Sequence, residues 1–270
     1  TAISPSANDY YGTKLQCLYH EDDEKVYIGV TDYSSTSNDV EFYLNSIDVT
    51  GTGDATNLAT STFTNGNKST ENPEIVPFGI SMVELGSGDV LTLVSSQMYE
   101  SGGDKGAVKA HWWDGSSLTT DGPFVDIANA STGGFGSDVS VVETFWNPTI
   151  SKSYGYVVVG RSDSVVPGFS GNSVVLYEVL LKNAADFDLS TSTVLNTEIS
   201  SFGPTSSFGL ETWGQNVSLD FDDVSEELLL AVAHPFWGKL VNGNNNQLGA
   251  IEVQRFPKKF DTNGRDYFFP

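Results

Sequence analysis

Tyr11-Gly12-Thr13-Lys14-Leu15-Gln16-Cys17-Leu18-Tyr19-His20-Glu21-Asp22-Asp23-Glu24-Lys25-Val26-Tyr27-Ile28-Gly29-Val30-Thr31 is the stretch whose reading decides the fold. It opens on an aromatic–glycine pair. Residues 14–19 are rich in β-formers, 20–25 form a polar turn, and 26–31 are β-forming again. A Ser/Asn loop leads to a third run at 40–44, and residues 58–63 supply a fourth. Strand formers separated by short turn-rich segments read as an antiparallel meander.

The same order follows three more aromatic–glycine pairs. Phe78-Gly79 precedes residues 80–85 and, past a Gly-Ser-Gly-Asp turn, 90–94. Phe135-Gly136 precedes 139–142 and then 156–159, and Phe208-Gly209 precedes 217–221, an acidic turn and 228–232. The four glycines, at 12, 79, 136 and 209, are 67, 57 and 73 residues apart. A strand-rich unit repeated at this scale predicts an all-β chain, a β-propeller of four-stranded antiparallel blades. The units span roughly 11–77, 78–134, 135–207 and 208–270 within one domain, 1–270. Inner strands are expected at 15–19, 80–85, 139–143 and 217–221. Ile28, Val30, Leu91, Leu93, Val157, Val159, Leu228 and Leu230 are expected in the core. Arg265-Asp266-Tyr267-Phe268 echoes Asn8-Asp9-Tyr10-Tyr11, so the chain reads as four units and the start of a fifth. Either the ring closes on its own beginning or the sequence is part of a longer propeller. A solenoid or a pair of β-sandwiches is the competing architecture.

The formal net charge of −22 repels nucleic-acid phosphates and anionic lipid surfaces, so neither is an expected partner. No apolar run is long enough to span a membrane, so no membrane insertion is expected. Cys17, the only cysteine, excludes an internal disulfide framework and is expected to pack in a strand.

In a propeller the ends of the second strands converge on one rim of the axial channel. That rule gathers Asp32 and Tyr33, Gln97, Tyr99 and Glu100, Arg161 and Asp163, and His234, Phe236 and Trp237. Aromatic faces beside hydrogen-bonding edges suit sugar rings. Asp32, Glu100 and Asp163 also offer paired carboxyls, which a glycosidase requires. They stand beside Ser, Thr, Gly and Asn, in loops expected to be wet, where acidities stay ordinary. No Ser/His/Asp arrangement and no zinc spacing is present among the three histidines and one cysteine. Hard oxygen donors crowd two places: Asp220, Asp222 and Asp223 in one turn, and Asp261, Asn263 and Asp266 around Gly264. Ca²⁺ is the one cofactor these leave open, although neither stretch matches the twelve-residue calcium loop. The sequons at Asn67 and Asn129 fall in loops and are candidate glycosylation sites; a third, at Asn216, opens a strand.

The aromatic–glycine pairs with their following strands, set among Ser/Thr/Gly/Asn loops, resemble the repeat β-propellers of secreted adhesins and of virus or phage tail proteins. That resemblance implies an extracellular or virion-surface setting. It implies a non-enzymatic structural or adhesive module binding glycan or protein subunits of a larger assembly. The architecture also resembles that of sialidases, but the Ser-x-Asp-x-Gly-x-x-Trp box is absent from the blade turns. Arg161, Arg255 and Arg265 are the only arginines, and the last two fall on or after the outer part of the fourth unit. The alternative expectation is a secreted glycoside hydrolase with paired carboxylates on the rim.

Overall fold

The computed structural model describes residues 9–34, 39–51, 53–63, 78–101, 104–124, 135–161, 174–185, 187–189, 193–195, 216–234, 238–241, 244–247, 250–260 and 266–268. Blade 1 comprises β1 (Asp9–His20), β2 (Lys25–Ser34), β3 (Val40–Asp48) and β4 (Thr56–Phe63). Blade 2 comprises β5 (Phe78–Glu84), β6 (Val90–Ser101), β7 (Asp104–Trp113) and β8 (Leu118–Phe124). Blade 3 comprises β9 (Phe135–Asn147), β10 (Lys152–Arg161), β11 (Val174–Leu180) and β12 (Thr193–Leu195). A small hairpin of β15 (Gly238–Val241) and β16 (Asn244–Gln247) is inserted into blade 4, which is built from β13 (Asn216–Asp222), β14 (Glu227–His234), β17 (Ala250–Phe260) and β18 (Asp266–Phe268). Every pairing is antiparallel, and no helix occurs among the described residues. None of them therefore forms a helix able to cross a membrane.

The sheets stack face to face, with β1 against β5, β5 against β9 and β9 against β13. This is the expected β-propeller, with the expected inner strands. Three apolar layers hold it together. Tyr27, Phe42 and Leu44 meet Met82, Val90 and Trp113 between blades 1 and 2. Leu91, Leu93 and Trp112 meet Val139, Val157 and Val159 between blades 2 and 3. Tyr156, Val158 and Leu176 meet Leu219, Leu228, Leu230 and Phe256 between blades 3 and 4. Alternate residues of β10 enter different layers. A strand covered on both faces needs an unbroken apolar run, and residues 156–159 supply one. Seven of the eight expected core residues are buried. Ile28 is only half-buried, on the face of blade 1 turned away from blade 2 and paired with the exposed Cys17.

Two other expectations are corrected. Residues 266–268 do not begin a further unit: they form β18, the outer strand of blade 4, paired with β17 through Lys258↔Phe268. Cys17 is exposed, on the same open face of blade 1 as Ile28.

Antiparallel pairing sets the start of each inner strand beside the end of the second. Asp9 faces Ser34, Phe78 faces Ser96, Phe135 faces Arg161 and Asn216 faces Ala233. These ends define the upstream pole of the propeller; the turns joining first and second strands define the opposite pole. Three aromatic–glycine pairs, at 11–12, 78–79 and 135–136, lie at the upstream pole, and Phe208-Gly209 is outside the described residues. Gly12 and Gly136 adopt φ of 81° and 82°, the left-handed region, beside irregularities in register.

Candidate functional site

The inner strands are pinned to one another by side chains that reach a neighbour's backbone. Gln16 Oε1 accepts from Met82 N at 3.0 Å, Ser81 Oγ from Val141 N at 3.0 Å, and Ser140 Oγ from Leu219 N at 2.9 Å. The accepting residues occupy one level around the axis. Two residues upstream, on the same faces of the same strands, stand Lys14, Gly79, Asp138 and Asn216.

Asp138 is the carboxylate of that upstream level. It is 9% exposed, and its Oδ2 accepts from Val217 N of blade 4 at 3.0 Å. Burial raises its pKa above the ordinary carboxylate value; the Val217 amide, the Lys14 charge, the Val139 amide and the Asn216 side chain pull the other way without cancelling it. Lys14 belongs to blade 1, Asp138 to blade 3 and Asn216 to blade 4. Blade 2 contributes Gly79: a Cβ there would stand 2.6 Å from Asp138 Oδ1 and 2.5 Å from Val139 N, so the close approach requires glycine. Four blades therefore meet at one buried carboxyl whose pKa is raised above the ordinary aspartate value. A carboxyl shifted in that direction can give up a proton to a bound substrate.

Asp32 lies on β2 at the same pole, between Tyr11 and Glu41 in the sheet, and is 3% exposed. Its neighbour Thr31 is tied to the inner strand, its Oγ1 accepting from Lys14 N at 3.2 Å. The expectation of a wet, loop-borne carboxyl is thus corrected for Asp32, because β2 continues past it and buries it.

The other expected ligand residues fare differently. Tyr99 is half-buried and packs against the apolar layer between blades 1 and 2. Backbone pairing places Tyr33 opposite Val40, Glu100 opposite Lys105, Arg161 opposite Phe135 and His234 opposite Ala250. Their side chains, and all of Asp163, Phe236, Trp237, Asn67 and Asn129, lie outside the described residues.

Asp222, one of the expected calcium ligands, is engaged within its own turn. Its Oδ1 accepts from Val224 N at 3.0 Å and Ser225 N at 3.2 Å, and its Oδ2 from Ser225 Oγ at 2.8 Å, so this carboxylate closes the β13–β14 turn. The Ser225 and Val224 bonds also hold its pKa below the usual value. Asp220 accepts from its neighbour Phe221 N, and Asp223 is exposed. Asp261 and Asn263, with the side chain of Asp266, are outside the described residues; among those described, no cluster of three potential ligands forms.

The opposite pole holds a second group of titratable side chains. His20 Nε2 donates to Gly88 O at 3.1 Å and lies 3.6 Å from Glu84 Oε1, while Nδ1 lies 2.7 Å from Asp23 Oδ1. Burial opposes charge on this ring, but the Gly88 carbonyl, Glu84 and Asp23 outweigh it and raise the pKa. Tyr27 donates to Asp23 Oδ2 at 2.7 Å, and its hydroxyl is pushed up to about 12, chiefly by burial. Glu143 of blade 3 accepts from Gly86 N of blade 2 at 2.9 Å and from the Ser153 hydroxyl. Burial lifts Glu143 to about 7 against the Gly86 amide, with the charge of Glu84 adding to the rise. These groups fasten turns and blades. His111 is different again: fully enclosed and stacked 4.7 Å from Phe42, it is held neutral by burial, its pKa lowered to about 3.

The sequence reading missed Asp138 because it attended to the ends of second strands. A signal was present. The inner strands read Lys14-x-Gln16, Gly79-x-Ser81, Asp138-x-Ser140 and Asn216-x-Ser218. Polar or glycine residues recur on one face, at one offset, in the inner strand of each unit.

No family model matches the sequence, and no curated protein matches it. Among solved structures, the chain is similar to an exo-1,5-α-L-arabinanase from a bovine ruminal metagenomic library, with 10% identity and a TM-score of 0.44 over 93% of this chain and 76% of that one. It is also similar to a mutant α-L-arabinofuranosidase from Fusarium graminearum in complex with an iminosugar inhibitor, with 11% identity and a TM-score of 0.44 over 89% of this chain and 76% of that one. Both are glycoside-cleaving enzymes rather than adhesins or tail proteins. The expected non-enzymatic module has no counterpart in these two structures, which are named as enzymes of the alternative class. No residue role is carried over from either.

Proposed function

We propose that the propeller hydrolyses a glycosidic bond at its upstream pole, with Asp138 as the proton donor. The observation that carries this reading is the setting of Asp138: a buried carboxyl where four blades meet, its pKa raised by burial. A glycosidase needs one carboxyl that keeps its proton near neutral pH and a second that is ionised. Asp138 would pass its proton to the leaving oxygen as the C–O bond breaks. Lys14 would favour the carboxylate that remains, and bulk water would return the proton to Asp138 for the next turnover. Asp32 of blade 1, buried at the same pole, would be the second carboxyl, acting on the sugar carbon directly or through water.

The test is hydrolysis of a panel of aryl glycosides and oligosaccharides, headed by α-L-arabinosyl compounds. Asp138→Asn keeps an oxygen for the Val217 amide but has no proton to donate. It should lower kcat by about 10²-fold or more while leaving the melting temperature within a few degrees. Asp32→Asn should lower activity on the same substrates. A panel without turnover, or full turnover in Asp138→Asn, would overturn the assignment.

A further inference from the structure

Blade 4 turns outward the sheet face that lies away from blade 3. There Ile251 and Val253 are 73% and 62% exposed, in register with Ala233 and Ala231 and beside the exposed Ser218. At the other end of the arc, blade 1 leaves the inner-strand part of its outward face open, while Val30 and Asp32 farther along that face are buried. Leu15 and Tyr19 are 61% and 52% exposed, and the Cys17 thiol lies between them, also exposed. Among the described residues, no strands of blades 4 and 1 pack together as the inner strands of consecutive blades do.

These faces are the unmatched halves of an interface that the chain builds three times. In each interface a side chain on one inner strand accepts from an amide on the next: Gln16 from Met82, Ser81 from Val141, Ser140 from Leu219. Donor directly follows acceptor within a strand, as Ser81-Met82 and Ser140-Val141 show. By that rule blade 4, whose donor is Leu219, presents Ser218 as an acceptor to a following blade. Blade 1, whose acceptor is Gln16, presents the Cys17 amide as a donor to a preceding one. The apolar residues around each half match the layers that fill the other three interfaces.

We propose that a fifth four-stranded antiparallel blade, belonging to the same polypeptide, fills the wedge between blades 4 and 1. Its inner strand would donate a mid-strand amide to Ser218 Oγ and offer a short polar side chain to the Cys17 amide, with an apolar residue on either side of each. Continuity with the existing interfaces favours this occupant: all three join consecutive segments of one chain. Charge disfavours a second copy, which would bring another −22 against the first. Exposed apolar faces of this kind mark surfaces that another element covers.

Cys17, the only cysteine, is a reporter placed on the face in question. The experiment measures its reaction with a soluble disulfide reagent in the polypeptide isolated from its source and in residues 1–270 produced alone. Intact mass and oligomeric state are measured on both. Expected results are a source polypeptide heavier than 29.1 kDa, with Cys17 protected at least about 100-fold relative to the denatured chain. In residues 1–270 the thiol should react within about tenfold of the denatured rate. Protection in a monomeric 1–270 chain would overturn the proposal in favour of direct closure of blade 4 on blade 1. Protection in a dimer would overturn it in favour of a second copy. A source polypeptide of 29.1 kDa, or equal reactivity in the two proteins, would overturn it as well.

Discussion

Glu143 stands where blades 2 and 3 meet, and burial lifts its carboxyl from 4.5 to about 7. In that window the native state holds a proton that the unfolded chain has released. The stability linked to Glu143 is therefore complete below about 4.5 and is lost as pH rises through about 7. Glu143→Gln should remove this part of the pH dependence, so that thermal unfolding from pH 4 to 8 shows a flatter curve than the wild type. Parallel curves would contradict the assignment. His20 also has a raised pKa, and the sign is the same. Both ring nitrogens face acceptors, which favours the charged imidazole, so its contribution is present below 6.5 and lost as pH rises through the higher folded value. His20→Gln should cost about 1–3 kcal/mol at pH 6 and less at pH 8, measured by urea unfolding. An equal cost at both would mean that His20 holds blades 1 and 2 together by packing alone.

At the scale of the element, the turns between first and second strands share a backbone habit. Glu24, Ser151 and Glu226 have φ of 52°, 50° and 54°, and Gly88 has 84°. Only blade 2 places glycine in this left-handed position. Side chains with a Cβ are strained there by roughly 1–2 kcal/mol. Glu24→Gly should therefore stabilise the protein by about 0.5–1 kcal/mol, after the entropy glycine adds to the unfolded chain. Calorimetric unfolding reads this directly, and a lower melting temperature would contradict it. The strands were legible in the sequence, because their alternation and the aromatic–glycine pairs follow from burial and local sterics. The turn conformation was not, because Glu and Ser carry no mark of a left-handed backbone. Asp32 was legible as a carboxyl at the upstream pole, but its burial was not, since that depends on how far β2 extends. Asp138 escaped notice because its meaning comes from Lys14 and Asn216, residues distant in sequence that only the stacking of blades brings near.

For the molecule as a whole, blade stacking converts four ordinary hairpin meanders into one axial site. The central claim is that Asp138, buried at that site, is the proton donor of a glycoside hydrolase. The pH dependence of kcat/KM tests it most directly, because its basic limb reports the acid form of the free enzyme. The account predicts turnover that falls as pH rises through a value above the ordinary aspartate range. In Asp138→Asn that limb should disappear, together with most of the rate. For substrates whose leaving group needs no proton, part of the rate should return. A basic limb that survives in Asp138→Asn, or no turnover of any glycoside from pH 4 to 9, would contradict it.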